Sequence, residues 1–518
     1  MEARAKRDDL MSRATDTFRS ETGARPINTA ILPRRLDAVA ESSRREIAPP
    51  ARRLAALFDG GSYEELDALA HHRASQWGMA GKRFDGDGVS VATGRVHGRA
   101  VVAFAQDRRF MGGSLGETHA AKICKGMDLA ERLGAPLVGL LDSGGARIQE
   151  GAAALAGYGE IFRRNVRLSG RVPQISVVLG PCAGGAVYSP AITDFIVLSR
   201  PDALMFVTGP KVVKQVMFED VDSEGLGGAK VHATMSGVAH LVEPDEASAI
   251  ARARTLLAFL QIPRAPSAEP ANDAPLDTLV PKNFRHPYDV RRVIDALADR
   301  GSIVEIQPDY AKNIVVALAR IDGRAVGIVA NQPKERAGVL DIDASRKAAR
   351  FVRTMSAFGI PIVSLVDVPG FMPGSRQEHG GVIVHGAKLL YAYCEARVPR
   401  IALVTRKAFG GAYIVMSSKH LGADVNLAWP DAQISVMGAE GAVEILHGKE
   451  LKAAPDPRAR FDELCARYRE EYMSVRVAAE RGWIDEVIDP RDSRRKIAHY
   501  LTLFDAEGLR GTHGNIPL

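Results

Sequence analysis

From Val89 onward the chain alternates short apolar runs with longer stretches of helical period. Val96-His97-Gly98-Arg99-Ala100-Val101-Val102 reads as a hairpin closed by a tight glycine turn. Glu117–Leu133 carries Ile123, Met127, Ala130 and Leu133 on one face, which predicts an amphipathic helix. Leu137-Val138-Gly139-Leu140-Leu141 reads as a buried strand and opens into a Gly-rich loop, Asp142-Ser143-Gly144-Gly145-Ala146-Arg147. A second buried strand, Ile175-Ser176-Val177-Val178-Leu179, runs into Pro181-Cys182-Ala183-Gly184-Gly185-Ala186-Val187-Tyr188. Upstream, Pro50 opens a predicted helix over Ala51–Phe58 that stops at Asp59-Gly60-Gly61.

The same order then recurs. His97-Gly98-Arg99-Ala100-Val101 returns as Asp322-Gly323-Arg324-Ala325-Val326, a shift of 225. Lys122 returns as Lys347, Gly134-Ala135-Pro136 as Gly359-Ile360-Pro361, and Asp142 as Asp367 at the same shift. The strand Arg400–Thr405 leads into Ala408-Phe409-Gly410-Gly411-Ala412-Tyr413-Ile414-Val415-Met416, 226 residues after the first Gly-Gly turn. Pro201-Asp202-Ala203 and Pro430-Asp431-Ala432 differ by 229, so further residues enter late in the unit. A shift this constant predicts two homologous α/β domains.

Residues 263–280, from Pro263-Arg264-Ala265-Pro266 through Asp277, are rich in Pro and Ala and poor in large apolar side chains, which reads as a linker. It separates an N-terminal domain at 46–262 from a C-terminal domain at 281–518. Residues 1–45 read as a polar arm with helical pieces. The stretch from Tyr288 to about Asp299 mirrors the predicted helix at 51–58.

At 518 residues, 46% hydrophobic and 25% charged, the chain has the composition of a soluble globular protein. Its net charge of +6 suits an anionic small molecule at least as well as a nucleic acid, and no basic stripe interleaved with aromatics is present. Cys124, Cys182, Cys394 and Cys465 lie far apart and form no Cys-x-x-Cys pair, which argues against a zinc ribbon and a disulfide framework. A charged N-terminus without an apolar run to follow, and no run near 18 apolar residues, lead to the expectation of a cytoplasmic protein off the membrane.

Two adjacent glycines between a strand and a helix let backbone N–H groups approach a ligand unobstructed, and the helix start adds uncapped donors and partial positive charge. Together these make an oxyanion hole. One such turn reads most simply as close strand–helix packing; two in matching contexts point to a pair of holes. Such a pair suits attack by a thioester enolate on a carbonyl-type acceptor. Asp142 and Asp367 end strands and are expected to cap the turns that follow. The histidines have no metal-ligand spacing, so no metal is expected. Neither a P-loop nor Gly-x-Ser-x-Gly occurs, and Cys182 reads as inert packing.

Several motifs carry a family resemblance. Phe110-Met111-Gly112-Gly113-Ser114-Leu115-Gly116-Glu117, Asp142 through Gly151, Gly180 through Ala186, Leu226-Gly227-Gly228-Ala229-Lys230, Asp367 through Gly374, Phe409 through Tyr413 and His513-Gly514-Asn515-Ile516-Pro517-Leu518 resemble the carboxyltransferase (β) subunit of biotin-dependent acyl-CoA carboxylases. The resemblance runs from about Ala51 to the end and is nearest the propionyl-CoA/acetyl-CoA type. It implies two crotonase-like (ClpP/crotonase) domains in tandem, in a homo-hexamer whose active sites lie between subunits. It implies acyl-CoA on the N-terminal side and biotin, carried covalently on a separate α subunit with the ATP-dependent carboxylase, on the other. Gly184 and Gly185 would hold the thioester oxygen of the enolate, and Gly411 and Ala412 the ureido oxygen of biotin. Gly145, Ala146, Ala183 and Ile414 would bind acyl-CoA, and Phe371 with Gly410, Gly411 and Ala412 the biotin. Carboxybiotin would release CO2 and its ureido nitrogen would take the α-proton. Ile414 stands where propionyl-CoA-selective relatives have aspartate, which implies a soft short-chain preference including acetyl-CoA. Alternatives left open are a biotin-dependent acyl-CoA decarboxylase subunit and a catalytically silent scaffold in a mixed complex.

Overall fold

The computed structural model describes residues 48–270, 272–504 and 512–517; the arm expected at 1–45 lies outside them. After the opening helix Pro49–Leu57, eight strands form one sheet: β1 (Tyr63–Leu66), β2 (Val89–Val96), β3 (Arg99–Gln106), β4 (Leu137–Ser143), β5 (Gln174–Ala183), β6 (Phe195–Ser199), β7 (Leu204–Phe206) and β8 (Leu241–Glu243). Their order is β1-β2-β3-β4-β5-β6-β8, with β7 beside β5. The second sheet contains β9 (Val304–Ile306), β10 (Ile314–Ile321), β11 (Arg324–Asn331), β12 (Ile362–Val368), β13 (Arg400–Phe409), β14 (Val425–Ala428), β15 (Gln433–Ser435) and β16 (Glu486–Val487). It repeats the arrangement: β9-β10-β11-β12-β13-β14-β16, with β15 beside β13. In each sheet the first three strands pair antiparallel and the rest parallel.

The repeat extends to details. The hairpin turns His97-Gly98 and Asp322-Gly323 both have two positive φ angles, the geometry that matches strand twist. A carboxylate from an earlier loop accepts both turn N–H groups, Asp59 in the first and Asp299 in the second. Lys122 and Lys347 are buried and donate to backbone carbonyls: Gly86 and Val89 in one half, Gln307, Tyr310 and Ile314 in the other. The register slips at matching places, between Leu141 and Ser143 and between Val366 and Val368. Because β4 and β12 keep the 225 shift while β5 and β13 start 226 apart, the extra residue enters in the connection between those strands.

The crossover helices form as the periodicity predicts. Glu117–Leu133 ends at Gly134 in a left-handed conformation whose N–H bonds back to Ala130 and Glu131. Its counterpart, Ile342–Ala357, starts at Asp341, whose side chain accepts from Ala344 N–H. The central strands β4 and β12 are buried along their whole length, as strands covered on both faces must be. One face of each sheet has a core of its own. The other faces, with helices Glu246–Gln261, Ile342–Ala357 and Val382–Glu395, join a single core spanning both halves.

Two stretches differ from plain expectation. Residues 263–280 run along the second half rather than standing off it: Pro263 O and Ala265 N pair with the β11 hairpin, and Leu276, Leu279 and Val280 are buried. The tail at 512–517 ties the halves together. Asn515, fully buried, donates to Asp194 and Thr354 at 2.7 and 2.9 Å, and its N–H donates to Ser169.

Candidate active site

Both Gly-Gly turns sit at the C-terminal ends of the strands where backbone leaves the sheet. β5 ends at Ala183 and passes into a 3-10 turn, Gly184–Val187; β13 ends at Phe409 and passes into the helix Gly410–Val415. Gly184 and Gly410 share a φ of 61°, a left-handed conformation that glycine adopts without strain. Neither turn has a side-chain cap at its start, so first-turn N–H groups are left to a ligand or water. A β-carbon at Gly185 would meet the Tyr158 ring at 3.0 Å, and one at Gly410 would meet the Val436 carbonyl at 3.1 Å.

Each turn is flanked by a loop held by the same backbone ladder. Leu115 N–H donates to Gly145 O and Arg147 N–H to Leu115 O, at 2.8 and 2.9 Å. In the second half Leu340 N–H donates to Gly370 O and Met372 N–H to Leu340 O, at 3.1 and 2.7 Å. Gly145 has φ 100°, and a β-carbon there would stand 2.8 Å from Ala183 O, so this loop lies directly on the first turn. In the second half the Phe371 ring lies 3.9 Å from where a Gly411 β-carbon would be.

Buried charge fixes these loops. Arg147, its side chain fully buried, bridges Asp87 at 2.7 Å and Glu150 at 2.8 Å and sits over the Phe110 ring. Burial raises the Asp87 pKa against the pull of that guanidinium. Glu150 also accepts from the N-terminal N–H of helix Glu117–Leu133. Asp142 and Asp367 do not cap the following turns as expected. Asp142 pairs with Arg53 at 3.2 Å, and Asp367 with Arg406 at 2.8 Å, because a carboxylate buried at a strand end needs a counter-charge. Arg406 is stacked over Tyr288 and donates to the carbonyls of Pro281, Asn283 and His286. Arg147 lies in the Gly-rich loop and Arg406 at a strand end, but nothing in their spacing marks either as a buried anchor.

Thus the structure gathers Gly145, Ala146, Ala183, Gly184 and Gly185 at one sheet and Phe371, Gly410, Gly411, Ala412 and Ile414 at the other. Within one chain the two sets stand on different sheets. Ile414 is 39% exposed and so not a packed core residue, beside the exposed Gly411. No side-chain base stands out at the first turn. The Cys182 thiol, pushed up to about 12 by burial, donates to Ala186 O, and His119, fully buried, is pushed down to about 3 by the loss of solvent. Tyr158, behind Gly185, was not singled out by the sequence; burial raises its phenol well above the usual range.

The carboxyl transferase domain model matches residues 49–509. The chain belongs to the carboxyl transferase family. It is 52% identical over 473 residues to the propionyl-CoA carboxylase carboxyltransferase subunit of Haloferax mediterranei, covering 89% of this chain and 92% of that protein. It is 50% identical over 477 residues to the methylmalonyl-CoA decarboxylase subunit alpha of Propionigenium modestum, covering 90% and 92%. Among solved structures, transcarboxylase 12S, described as a hexamer with methylmalonyl-coenzyme A and methylmalonic acid bound, matches with a TM-score of 0.88 at 46% identity, covering 96% of this chain and all of that one. The carboxyltransferase is an enzyme of two crotonase-like halves, as its motifs led one to expect. Among the described residues no helix is long and apolar enough to cross a membrane.

Proposed function

We propose that this carboxyltransferase moves a carboxyl group from biotin, carried on a separate ATP-dependent subunit, to the α-carbon of a short-chain acyl-CoA, acetyl-CoA and propionyl-CoA included. The observation that carries this reading is the pair of uncapped Gly-Gly turns at equivalent strand ends, each with φ 61° at its first glycine. Gly184 and Gly185 N–H hold the thioester oxygen as negative charge gathers there, with Gly145, Ala146 and Ala183 shaping that side. Gly411 and Ala412 N–H face the ureido oxygen, with Gly410 setting the turn and Phe371 forming one wall. The residues fit that group: space above Gly411 stays open because no β-carbon fills it, and only the Phe371 ring comes near. When bound, carboxylated biotin supplies CO2 and a ureido nitrogen that accepts the α-proton, which suits a turn with no side-chain base. Donors aimed at charge that exists only near the transition state raise the rate, and losing one typically costs a hundred- to a thousandfold, ~2.7–4 kcal/mol.

A relative of 46% identity, transcarboxylase 12S, is described as a hexamer, and by analogy we place the active site between subunits of a cytoplasmic hexamer. The proposed domain limits are 46–262 for the acyl-CoA side and 281–518 for the biotin side. A second reading, decarboxylation of a carboxylated acyl-CoA, is favoured by the 50% identity to a methylmalonyl-CoA decarboxylase subunit. The test is incorporation of labelled bicarbonate into a panel of short acyl-CoAs, using the purified chain with its biotinylated partner and ATP. Label on acetyl-CoA and propionyl-CoA is expected. No label on any acyl-CoA, with turnover of methylmalonyl-CoA intact, would leave the decarboxylase reading standing in its place.

A further inference from the structure

At the N-terminal ends of the strands, away from the Gly-Gly turns, the two halves border a half-open cavity of about 440 Å³. Equivalent residues line it from both sides: Arg99 with Arg324, Gly134 with Gly359, and Pro136 with Pro361, each pair 225 apart. The cavity therefore lies where the two halves meet, and the duplication supplies it with one arginine from each. Arg171 and Arg264 bring the guanidinium groups to four, and no acidic side chain is among the lining residues. Arg171 also reaches Glu131 at 3.1 Å, and Arg264 and Arg324 engage other groups as well. Phe259 and Phe358 contribute apolar wall.

Four like charges around one concavity create a local positive potential that an anion relieves. The planar guanidinium fork matches phosphate oxygens two at a time. The volume lies in the range of small-molecule sites, well beyond what a bare ion needs, and the apolar wall suits a ring. We propose that this cavity binds a phosphate-bearing small molecule of nucleotide size. A ligand held by arginines from both halves favours whichever relative placement of the halves fits it, and so can act on both Gly-Gly turns at once.

The test is calorimetric titration of the full chain with inorganic phosphate, pyrophosphate and adenosine triphosphate. The triphosphate is expected to bind more tightly than inorganic phosphate, and binding should weaken as salt rises. The double variant Arg99→Glu/Arg171→Glu, made at two surface positions, should bind at least about tenfold more weakly while melting like the parent. If none of the three probes binds, or if the double variant binds them as the parent does, the proposal is overturned. The readout is heat of binding rather than turnover, so it stands or falls apart from the reading of the active site.

Discussion

Ala146 and Phe371 occupy equivalent positions in the two halves, each bridged in parallel to a leucine of its own half, Leu115 and Leu340. The backbone ladder is the same, but a methyl group in the first half is a phenyl ring in the second. The ring lies 3.9 Å from where a Gly411 β-carbon would stand, so the two turns are alike in backbone and different in the wall beside them. Phe371→Ala should raise the KM for free biotin by roughly tenfold and leave the acyl-CoA KM unchanged, the scale of one lost apolar contact. Steady-state kinetics with each substrate varied in turn reads this; an equal rise in both would assign Phe371 to stability instead.

Ile414 projects from the helix Gly410–Val415 with 39% of its surface exposed. Ile414→Asp should therefore fold normally and shift the ratio of kcat/KM for acetyl-CoA and propionyl-CoA. A pocket change of this kind is worth ~1–3 kcal/mol. Unchanged ratios would remove Ile414 from the acyl pocket.

Gly145→Ala places a β-carbon 2.8 Å from Ala183 O at a φ of 100°. The loop must shift against the first Gly-Gly turn to make room. A drop in kcat of roughly a hundredfold is expected, the size associated with one misplaced oxyanion donor, with circular dichroism near that of the parent.

Arg147→Met leaves Asp87 and Glu150 without their shared counter-charge in a site closed to water. Removing one partner of a buried pair costs about 3–5 kcal/mol. Urea unfolding should show the midpoint falling with the slope kept. An unchanged midpoint would mean that Asp87 takes up a proton without loss.

Burial pushes the imidazoles of His119 and His240 down to about 3, against an ordinary 6.5. Between those values the unfolded chain binds protons that the folded chain does not. Stability should therefore fall as pH is lowered from 6.5 towards 3, by about 1.4 kcal/mol per pH unit for each histidine. His119→Gln should flatten the slope, measured by chemical denaturation at a series of pH values.

The duplicated order was legible in the sequence because it rests on local signals: apolar runs, glycine turns, and paired positions at a fixed shift. The helix at Glu117–Leu133 ends where its glycine cap stands. Long-range pairing was not legible. Arg53 meets Asp142 across 89 residues and Arg406 meets Asp367 across 39, whereas a carboxylate at a strand end signals locally only a turn cap. The proline-rich stretch at 263–280 has the composition of a tether, yet its Pro263 carbonyl accepts from Ala325 N–H and its Ala265 N–H donates to Gly323 O of the β11 hairpin, pairings that no local pattern announces.

The apolar core common to both sheets holds the duplicated halves to each other. Expressed alone, either half would expose to water part of the core that now spans both sheets. Neither copy is then an autonomous folding unit, and a single-copy version of this fold would need another cover for that face, most simply a second molecule of itself.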